Sequence, residues 1–158
     1  MARFLFNLVF TLAIPFVLMR MWLRGGSNPG YRQRWAERFA LFKFSGKANG
    51  LLVHSVSVGE TLAAEPLVRS LQAAHPEQTI TITTTTPTGS DQVKRLYADD
   101  LAAGRIFHVY LPYDLPWLTT RFIRKIQPSI CIIMETELWP NIILSCNKQQ
   151  VPVILANA

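Results

Sequence analysis

From Leu51 onward the chain repeats one unit: a short apolar run, a turn rich in Ser, Thr, Gly or Pro, and a helical pattern. The starts of successive apolar runs are 23 to 28 residues apart, and the runs lie at residues 51–56, 79–84, 105–110, 129–134 and 152–156. Because this spacing accommodates one strand, one helix and two short loops, it predicts a parallel sheet covered by helices on both faces. With right-handed crossovers, the result is a Rossmann-like α/β fold.

An apolar segment of another kind precedes these units. The run "FLFNLVFTLAIPFVLM", residues 4–19, has sixteen residues and no charge. As a helix it spans about 24 Å, and continuation through Leu23 brings it close to the ~30 Å hydrocarbon core of a bilayer. A cleaved signal peptide is the alternative, but the basic residues follow the apolar run and no small-residue cleavage site is evident. We therefore predict an uncleaved membrane-anchor helix over residues 1–24.

The positive charge of the chain is concentrated beside this helix. Residues 1–47 contain eight Lys or Arg against one acid, whereas residues 48–158 contain eight against nine. This distribution is typical of a segment that rests on anionic lipid headgroups, and not of a nucleic-acid-binding domain. Because the basic flank follows the apolar helix, it places the rest of the chain at the cytoplasmic face of the membrane.

Residues 25–50 are predicted to form a basic juxtamembrane helix and a linker. The helical stretch "NPGYRQRWAERFALF" has an aromatic stripe from Tyr31 to Phe42, and "KFSGKANG" has the composition of a linker. The side opposite the aromatic stripe carries three arginines, Arg32, Arg34 and Arg38. Two interpretations remain open, because such a helix lies either on the membrane surface or against the globular body.

The residues that follow each strand are candidate walls of a binding site. In open α/β sheets, ligands bind beyond the carboxyl ends of the strands. Here those stretches contain carboxylates, hydroxyls and an exposed-looking tryptophan, Trp139, and they lack lysine and arginine. That composition suits hydrogen bonding to a sugar hydroxyl and removal of its proton, and it does not suit binding of a triphosphate.

The turn Ser57-Val58-Gly59-Glu60 follows the first apolar run and opens a helix. The positive end of the helix dipole favours the ionised form of Glu60. An ionised carboxylate on the rim of the site can act as a general base, and Gly59 leaves room for a ligand to approach. The alternative is a first-turn glutamate that only complements the helix dipole.

The stretches "METELWPN" and "TTTTPTGS" supply the other candidates. Pro140 suits the first turn of a helix, with Thr136 or Glu137 near its cap. Capping and solvation remain the alternative role of both glutamates in this stretch, and Glu135, nearest the strand, is expected to point into the cleft. The Thr-rich loop precedes a helix but has no P-loop lysine. The candidate catalytic residues are Glu60 and Glu135, and the candidate substrate-binding residues are Ser57, Gly59, Thr86, Thr88, Gly89, Glu137 and Trp139.

The cysteines and histidines do not predict a metal site. Cys131 and Cys146 lie in an apolar run and a helical pattern, which is typical of reduced thiols in a core. His54 and His108 lie inside predicted strands and are expected to be buried. We expect no metal and no cofactor, and an NAD-binding protein is disfavoured because no G-x-G-x-x-G follows the first strand.

Six stretches, in this order, carry a family resemblance: "YRQRWAERF", "HSVSVGETLAAEPLVRSLQ", "TTTTPTGSDQVKRLY", "HVYLPYDLPW", "IMETELWPN" and "VPVILANA". With them the chain resembles the Kdo transferases of Gram-negative bacteria, which transfer 3-deoxy-D-manno-oct-2-ulosonic acid (Kdo) to a lipid A precursor. The resemblance implies an inverting GT-B glycosyltransferase that is anchored in the inner membrane and takes its sugar from CMP-Kdo. It also implies that residues 51–158 bind the lipid acceptor, that Glu60 is the general base and that Glu135 is a second active-site carboxylate.

The resemblance also sets an expectation about what this chain can do alone. At Ala158 such enzymes continue into a second Rossmann-like domain, which is expected to bind CMP-Kdo. The chain is therefore interpreted as an N-terminal fragment that holds the acceptor half and is inactive by itself. The alternative is a non-catalytic membrane-bound module that binds a lipid or a protein partner.

Overall fold

The apolar runs form one five-stranded parallel sheet in a computed structural model, which describes residues 2–135 and 139–157. The strands are β1 (Leu51–His54), β2 (Ile80–Thr84), β3 (Ile106–Tyr110), β4 (Ile130–Met134) and β5 (Val153–Ala156). Their order in the sheet is β3-β2-β1-β4-β5, and all the pairs are parallel. The Rossmann-like prediction is confirmed, and each strand is one or two residues shorter than its apolar run.

Helices connect the strands and cover both faces of the sheet. They are α1 (Ala2–Arg24), α2 (Trp35–Arg38), α3 (Val58–Ala74), α4 (Pro87–Leu96), α5 (Ala98–Ala102), α6 (Pro116–Ile126) and α7 (Pro140–Lys148). Of the helices in the described part of the chain, α1 is the one long and apolar enough to cross a membrane. Its length and composition make it suitable as a membrane anchor.

Two hydrophobic cores lie on opposite faces of the sheet because side chains alternate along each strand. On one face, Leu52 of β1 and Ile133 of β4 pack with α6 and α7. On the other face, Val53 and Ile132 pack with α3 and α4. The two cysteines are buried and free, Cys131 and Cys146 both lying in the first core, as predicted for core thiols.

The segment before β1 does not form the single helix that its pattern predicted. A short 3-10 helix, Pro29–Arg32, precedes the four-residue α2, and Arg34 between them has a left-handed backbone with φ of 56°. The Arg34 guanidinium donates to Ser90 Oγ at 2.7 Å and to the His108 carbonyl at 3.1 Å. These contacts with the body of the protein fix the left-handed backbone at Arg34, which separates the two short helices.

The aromatic stripe of this segment packs on the sheet domain. The ring of Phe42 lies 5.9 Å from that of Phe107 and 5.8 Å from that of Phe122. The Lys125 ammonium donates to the carbonyls of Ala40 and Phe42 at 3.0 Å and 2.8 Å. Of the two interpretations, the one that packs this segment against the globular body agrees with the structure.

A buried carboxylate from the loop after β3 caps α7. Asp114 is fully buried, and its two oxygens accept hydrogen bonds from the backbone N–H of Asn141 at 3.0 Å and of Ile142 at 2.9 Å. Burial raises the pKa of Asp114, and the hydrogen bonds from Asn141 and Ile142 act in the opposite direction. The cap predicted from Thr136 or Glu137 falls outside the described residues.

We expect Asp114→Ala to lower the free energy of unfolding by about 1–3 kcal/mol, because it removes a cap and leaves two buried N–H groups without an acceptor. Chemical denaturation in detergent micelles measures the change. Asp91→Ala is the matched control, since Asp91 is exposed and its pair with Lys94, at 3.3 Å, lies at the surface. A loss no larger than that of the control would show that Asp114 does not hold α7 in place.

Candidate active site

The candidate site lies where the strand order reverses. From β1 the chain moves outward through β2 to β3 and then crosses to β4 on the other side of β1. Ligands of open α/β sheets bind at the crevice that this reversal creates beside the carboxyl ends of the central strands. Glu60 follows β1 and Glu135 follows β4, so the two predicted carboxylates lie after neighbouring central strands.

Glu60 lies in the first turn of α3 and its side chain folds back over the start of the helix. One carboxylate oxygen accepts the Val56 N–H at 2.8 Å, and the other accepts the Ser57 hydroxyl at 2.9 Å. Ser57 is the N-cap residue, with its Oγ 3.5 Å from the Glu60 N–H. Ser57 and Glu60 have the spacing of a capping box, but the backbone N–H that Glu60 accepts is that of Val56, one residue before the N-cap, and not that of Ser57.

The hydrogen bonds from Val56 and Ser57 orient the Glu60 carboxylate, which can still accept further hydrogen bonds. A carboxylate has about four acceptor positions, of which the two hydrogen bonds occupy two. Glu60 is 6% exposed, and the adjacent Gly59 is exposed with only Ser57 Oγ, at 4.0 Å, near the position of an added Cβ. The open side of this turn is therefore at Gly59, where the sequence predicted that a ligand approaches.

The Thr-rich loop after β2 is joined to the same turn. The carbonyl of Val56 accepts from the hydroxyls of Thr85 and Thr86, each at 3.3 Å. Thr86 also caps α4 by accepting the Gly89 N–H at 3.1 Å. An added Cβ at buried Gly89 lies 3.0 Å from Thr86 Oγ1, so this glycine permits close packing, whereas Thr88 is exposed at the rim.

The residues after β4 adopt an unusual backbone. Glu135 is exposed and has a left-handed conformation with φ of 56°, which costs a non-glycine residue of the order of 1 kcal/mol. Its N–H donates to the Ala156 carbonyl of β5 at 2.7 Å, and this bond holds the conformation. Glu137 lies outside the described residues.

Trp139 is half-buried, which corrects its interpretation as an exposed residue. Its ring packs against the core on the α6–α7 face and meets the His54 ring edge-on at 6.3 Å. The Trp139 Nε1–H is buried and has no hydrogen-bond partner among the described residues. A buried donor without an acceptor is uncommon in proteins and points to a ligand or solvent atom that completes it.

Arg38 precedes the first strand, so the sequence pattern placed no arginine among the residues that follow the strands. The fold brings Arg38 to that edge of the sheet. Its guanidinium donates to the Thr85 carbonyl at 2.9 Å and stacks on the Tyr110 ring at 4.2 Å, and the residue is 6% exposed. The Tyr113 N–H donates to the Arg38 carbonyl at 2.9 Å, which attaches α2 to the loop after β3. Burial lowers the pKa of Arg38, although a guanidinium remains charged at neutral pH.

Two histidines inside the strands, His54 in β1 and His108 in β3, are kept neutral by burial. Burial lowers the pKa of His54 to about 4, and that of His108 also to about 4. The Nδ1 of His54 lies 2.9 Å from Thr83 Oγ1, and both ring nitrogens of His108 have hydrogen-bond partners, the Ile82 carbonyl and Ser90 Oγ. Among the described residues, no three His, Cys, Asp or Glu side chains gather in a way that would hold a metal ion.

Comparison with known proteins identifies the family. A family model described as 3-deoxy-D-manno-octulosonic-acid transferase (kdotransferase) matches residues 33–158. The chain belongs to the Kdo transferase family. The resemblance proposed from the sequence motifs is therefore confirmed, and the Rossmann-like sheet described above is the fold of this chain within the family.

Individual relatives agree with the family match. A 3-deoxy-D-manno-octulosonic acid transferase of Haemophilus influenzae is 44% identical over 163 residues, covering all of this chain and 36% of that protein. One from Bordetella pertussis is 35% identical over 95% of this chain, and a probable mitochondrial one from Arabidopsis thaliana is 36% identical over 79% of it. The chain spans 27% to 36% of the length of these Kdo transferases.

The buried histidines predict how the stability of this Kdo transferase chain depends on pH. Because the pKa of His54 is about 4 when folded and about 6.5 when unfolded, the unfolded chain binds more protons between these values. Stability is therefore complete above pH 6.5 and falls as the pH drops toward 4. Between pH 7 and pH 5 we expect the free energy of unfolding to fall by about 2 kcal/mol less in His54→Asn than in the wild type.

Denaturation midpoints of the two proteins at pH 7 and pH 5 measure this difference. Asn places a polar atom near the position of the His54 Nδ1, so it retains the contact with Thr83. His75→Asn is the control, because His75 is exposed. An unchanged pH dependence in His54→Asn would show that His54 is not the group that titrates.

Proposed function

We propose that this chain forms the acceptor-binding part of a glycosyltransferase that transfers Kdo from CMP-Kdo to a lipid A precursor at the cytoplasmic face of the inner membrane. In this proposal residues 1–24 anchor the protein, residues 25–50 join the anchor to the body, and residues 51–158 bind the acceptor. The donor-binding domain belongs to the part of such a GT-B enzyme that this chain does not include. The family match supports the reaction class, and the apolar α1 supports the membrane location.

The observation that carries the proposal is the position of Glu60. Its carboxylate lies at the central switch point of the sheet, is held by the Val56 N–H and the Ser57 hydroxyl, and has acceptor positions left. A carboxylate fixed in this way can take a proton without first reorganising. Ser57 acts as a positioning residue, because its hydroxyl holds one of the two carboxylate oxygens.

In the proposed mechanism, Glu60 is the general base for an acceptor hydroxyl on the glucosamine disaccharide. One of its carboxylate oxygens accepts the hydroxyl proton while the oxygen of that acceptor hydroxyl attacks the anomeric carbon of Kdo. A bond forms between the acceptor oxygen and the anomeric carbon, and the bond from that carbon to the phosphate of CMP breaks. CMP leaves with the electron pair, and attack from the opposite side inverts the configuration.

The other candidate residues have supporting roles in this proposal. Glu135, exposed after β4, is a second active-site carboxylate, and Glu137 belongs to the same stretch. Gly59 and Thr88 are exposed at the rim, where they border the space for the sugar. Thr86 and Gly89 shape the loop between β2 and α4, and Trp139 lies in the loop between β4 and α7.

A transfer assay with CMP-Kdo and tetraacylated lipid A precursor tests the proposed function. It compares this chain alone with this chain joined to the remaining C-terminal part of the 44% identical Haemophilus influenzae relative. We expect transfer by the joined protein and none by this chain alone. A folded joined protein that transfers no Kdo would contradict the proposal and favour a non-catalytic membrane-bound module.

The role of Glu60 is tested by Glu60→Gln in the joined protein. The amide oxygen of glutamine can still accept the Val56 N–H, so the turn before α3 keeps this hydrogen bond, but an amide does not accept the proton. We expect kcat to fall by about 10²–10⁴ while the melting temperature changes little. Glu65→Gln, one turn further along α3, is the control and should retain activity. Near-normal turnover by Glu60→Gln would show that Glu60 is only a helix cap.

A further inference from the structure

Helix α1 lies along the rim of the candidate site. Residues spaced by three or four on one side of α1 are buried or half-buried, and they include Asn7, Phe10, Ile14 and Met21. The Asn141 side chain donates to Asn7 Oδ1 at 2.8 Å, and the Tyr113 hydroxyl lies 3.4 Å from the sulfur of Met21. Because these contacts are fourteen residues apart, they hold about 21 Å of the helix against the body.

The opposite side of α1 is apolar and exposed. Leu12 is 64% exposed and Phe16 is 68% exposed, and Leu5, Leu8 and Leu23 lie on the same outer surface. Exposed apolar surface of this extent on a helix is the mark of contact with lipid. With the outer side of α1 in lipid, as the proposed function has it, the rim that the inner side covers lies next to the hydrophobic part of the membrane.

A cavity of about 250 Å³ separates α1 from the rim. Its walls are apolar on the helix side, where they include Ala13 and Ile14, and its other side includes Arg38, Thr85, Tyr113 and Trp139. The cavity is thus bounded by the membrane helix and by the loops that follow β2, β3 and β4. The surface of this cavity is almost entirely apolar, which suits a hydrocarbon chain.

Two buried donors in this wall lack acceptors. Arg38 Nε and Trp139 Nε1 have no hydrogen-bond partner among the described residues, and both residues line the cavity. An unsatisfied buried donor typically costs about 1–3 kcal/mol, so a small side-chain rotation that turns either N–H toward an acceptor oxygen in the cavity gains this free energy on binding. The combination of hydrocarbon walls with N–H donors matches a fatty acyl chain together with its carbonyl oxygen.

We infer that the cavity binds one acyl chain of the glycolipid acceptor, with the carbonyl oxygen of that chain facing Arg38 and Trp139. The inference rests on the proposed function and specifies how the acceptor is held. Thr85 connects the two places, because it lines the cavity and donates to Val56, whose N–H donates to Glu60. A chain seated here belongs to the molecule whose sugar lies at Glu60, which favours the acceptor over a bulk phospholipid.

The test changes the volume of the cavity from the helix side. Ala13→Phe adds a ring that fills the cavity, whereas Leu12→Phe makes an apolar change of similar kind on the exposed side of the same helix. Equilibrium binding to this chain in lipid nanodiscs is measured without donor for two probes. The probes are the tetraacylated glucosamine disaccharide bisphosphate and the same disaccharide bisphosphate without acyl chains.

We expect Ala13→Phe to raise the Kd of the acylated probe at least tenfold and to leave that of the deacylated probe unchanged. Leu12→Phe should leave both within twofold of wild type. Equal weakening of both probes, or an unchanged Kd for the acylated probe, would overturn the inference and assign the cavity to a structural phospholipid. Because binding needs no donor, this failure is distinguishable from a failure of Kdo transfer.

A second variant examines the hydrogen-bonding end of the cavity. Trp139→Phe keeps an aromatic ring but removes the Nε1–H, so we expect about a fivefold increase in the Kd of the acylated probe. An acylated probe whose chain is ether-linked lacks the carbonyl and should bind the wild type and Trp139→Phe equally. A fivefold difference between the two proteins for the ether-linked probe would contradict the role of the carbonyl oxygen.

Discussion

The contact between Glu60 and the turn before α3 connects the fold of this protein with its proposed chemistry. The first N–H groups of a helix have no partner inside the helix. Here Ser57 Oγ accepts the Glu60 N–H at 3.5 Å, and the Glu60 carboxylate accepts the Ser57 hydroxyl and the N–H of Val56, which precedes the helix. These hydrogen bonds hold the carboxylate beside the open position at Gly59. They use only part of its acceptor capacity, so the proposed role as a base is compatible with them.

Residues of the loop after β2 hold the turn that contains Glu60. The Val56 N–H donates to Glu60 and its carbonyl accepts from Thr85 and Thr86, so hydrogen bonds join the loops after β1 and β2 into one unit. Arg38 extends this unit, because its guanidinium donates to Thr85 and its carbonyl accepts from Tyr113. The loops after three strands are therefore joined by hydrogen bonds through a residue that precedes the sheet in the chain.

The features that were predictable from the sequence are those that local pattern determines. The apolar runs around Val53 and Ile132 identified the strands within two residues, and their spacing identified the helices between them. The place of Glu60 in the first turn of a helix was predicted as well, whereas its hydrogen bonds to Val56 and Ser57 were not. Its role as a base stays a prediction, as do the roles of Glu135 and the other candidate residues.

The features that were not predictable depend on contacts between distant parts of the chain. The helix over residues 29–42 is interrupted because Arg34 binds Ser90 and His108, and the rim acquires a positive charge because Arg38 reaches Thr85. The local pattern showed an amphipathic segment but gave no information about the partners that interrupt it. The same partners connect α1 to the site: Tyr113 contacts Met21 of α1 through its hydroxyl and Arg38 through its backbone N–H, and Arg38 in turn donates to Thr85. The position of α1 and the arrangement of the loops around Glu60 are therefore joined by direct contacts within one packed structure.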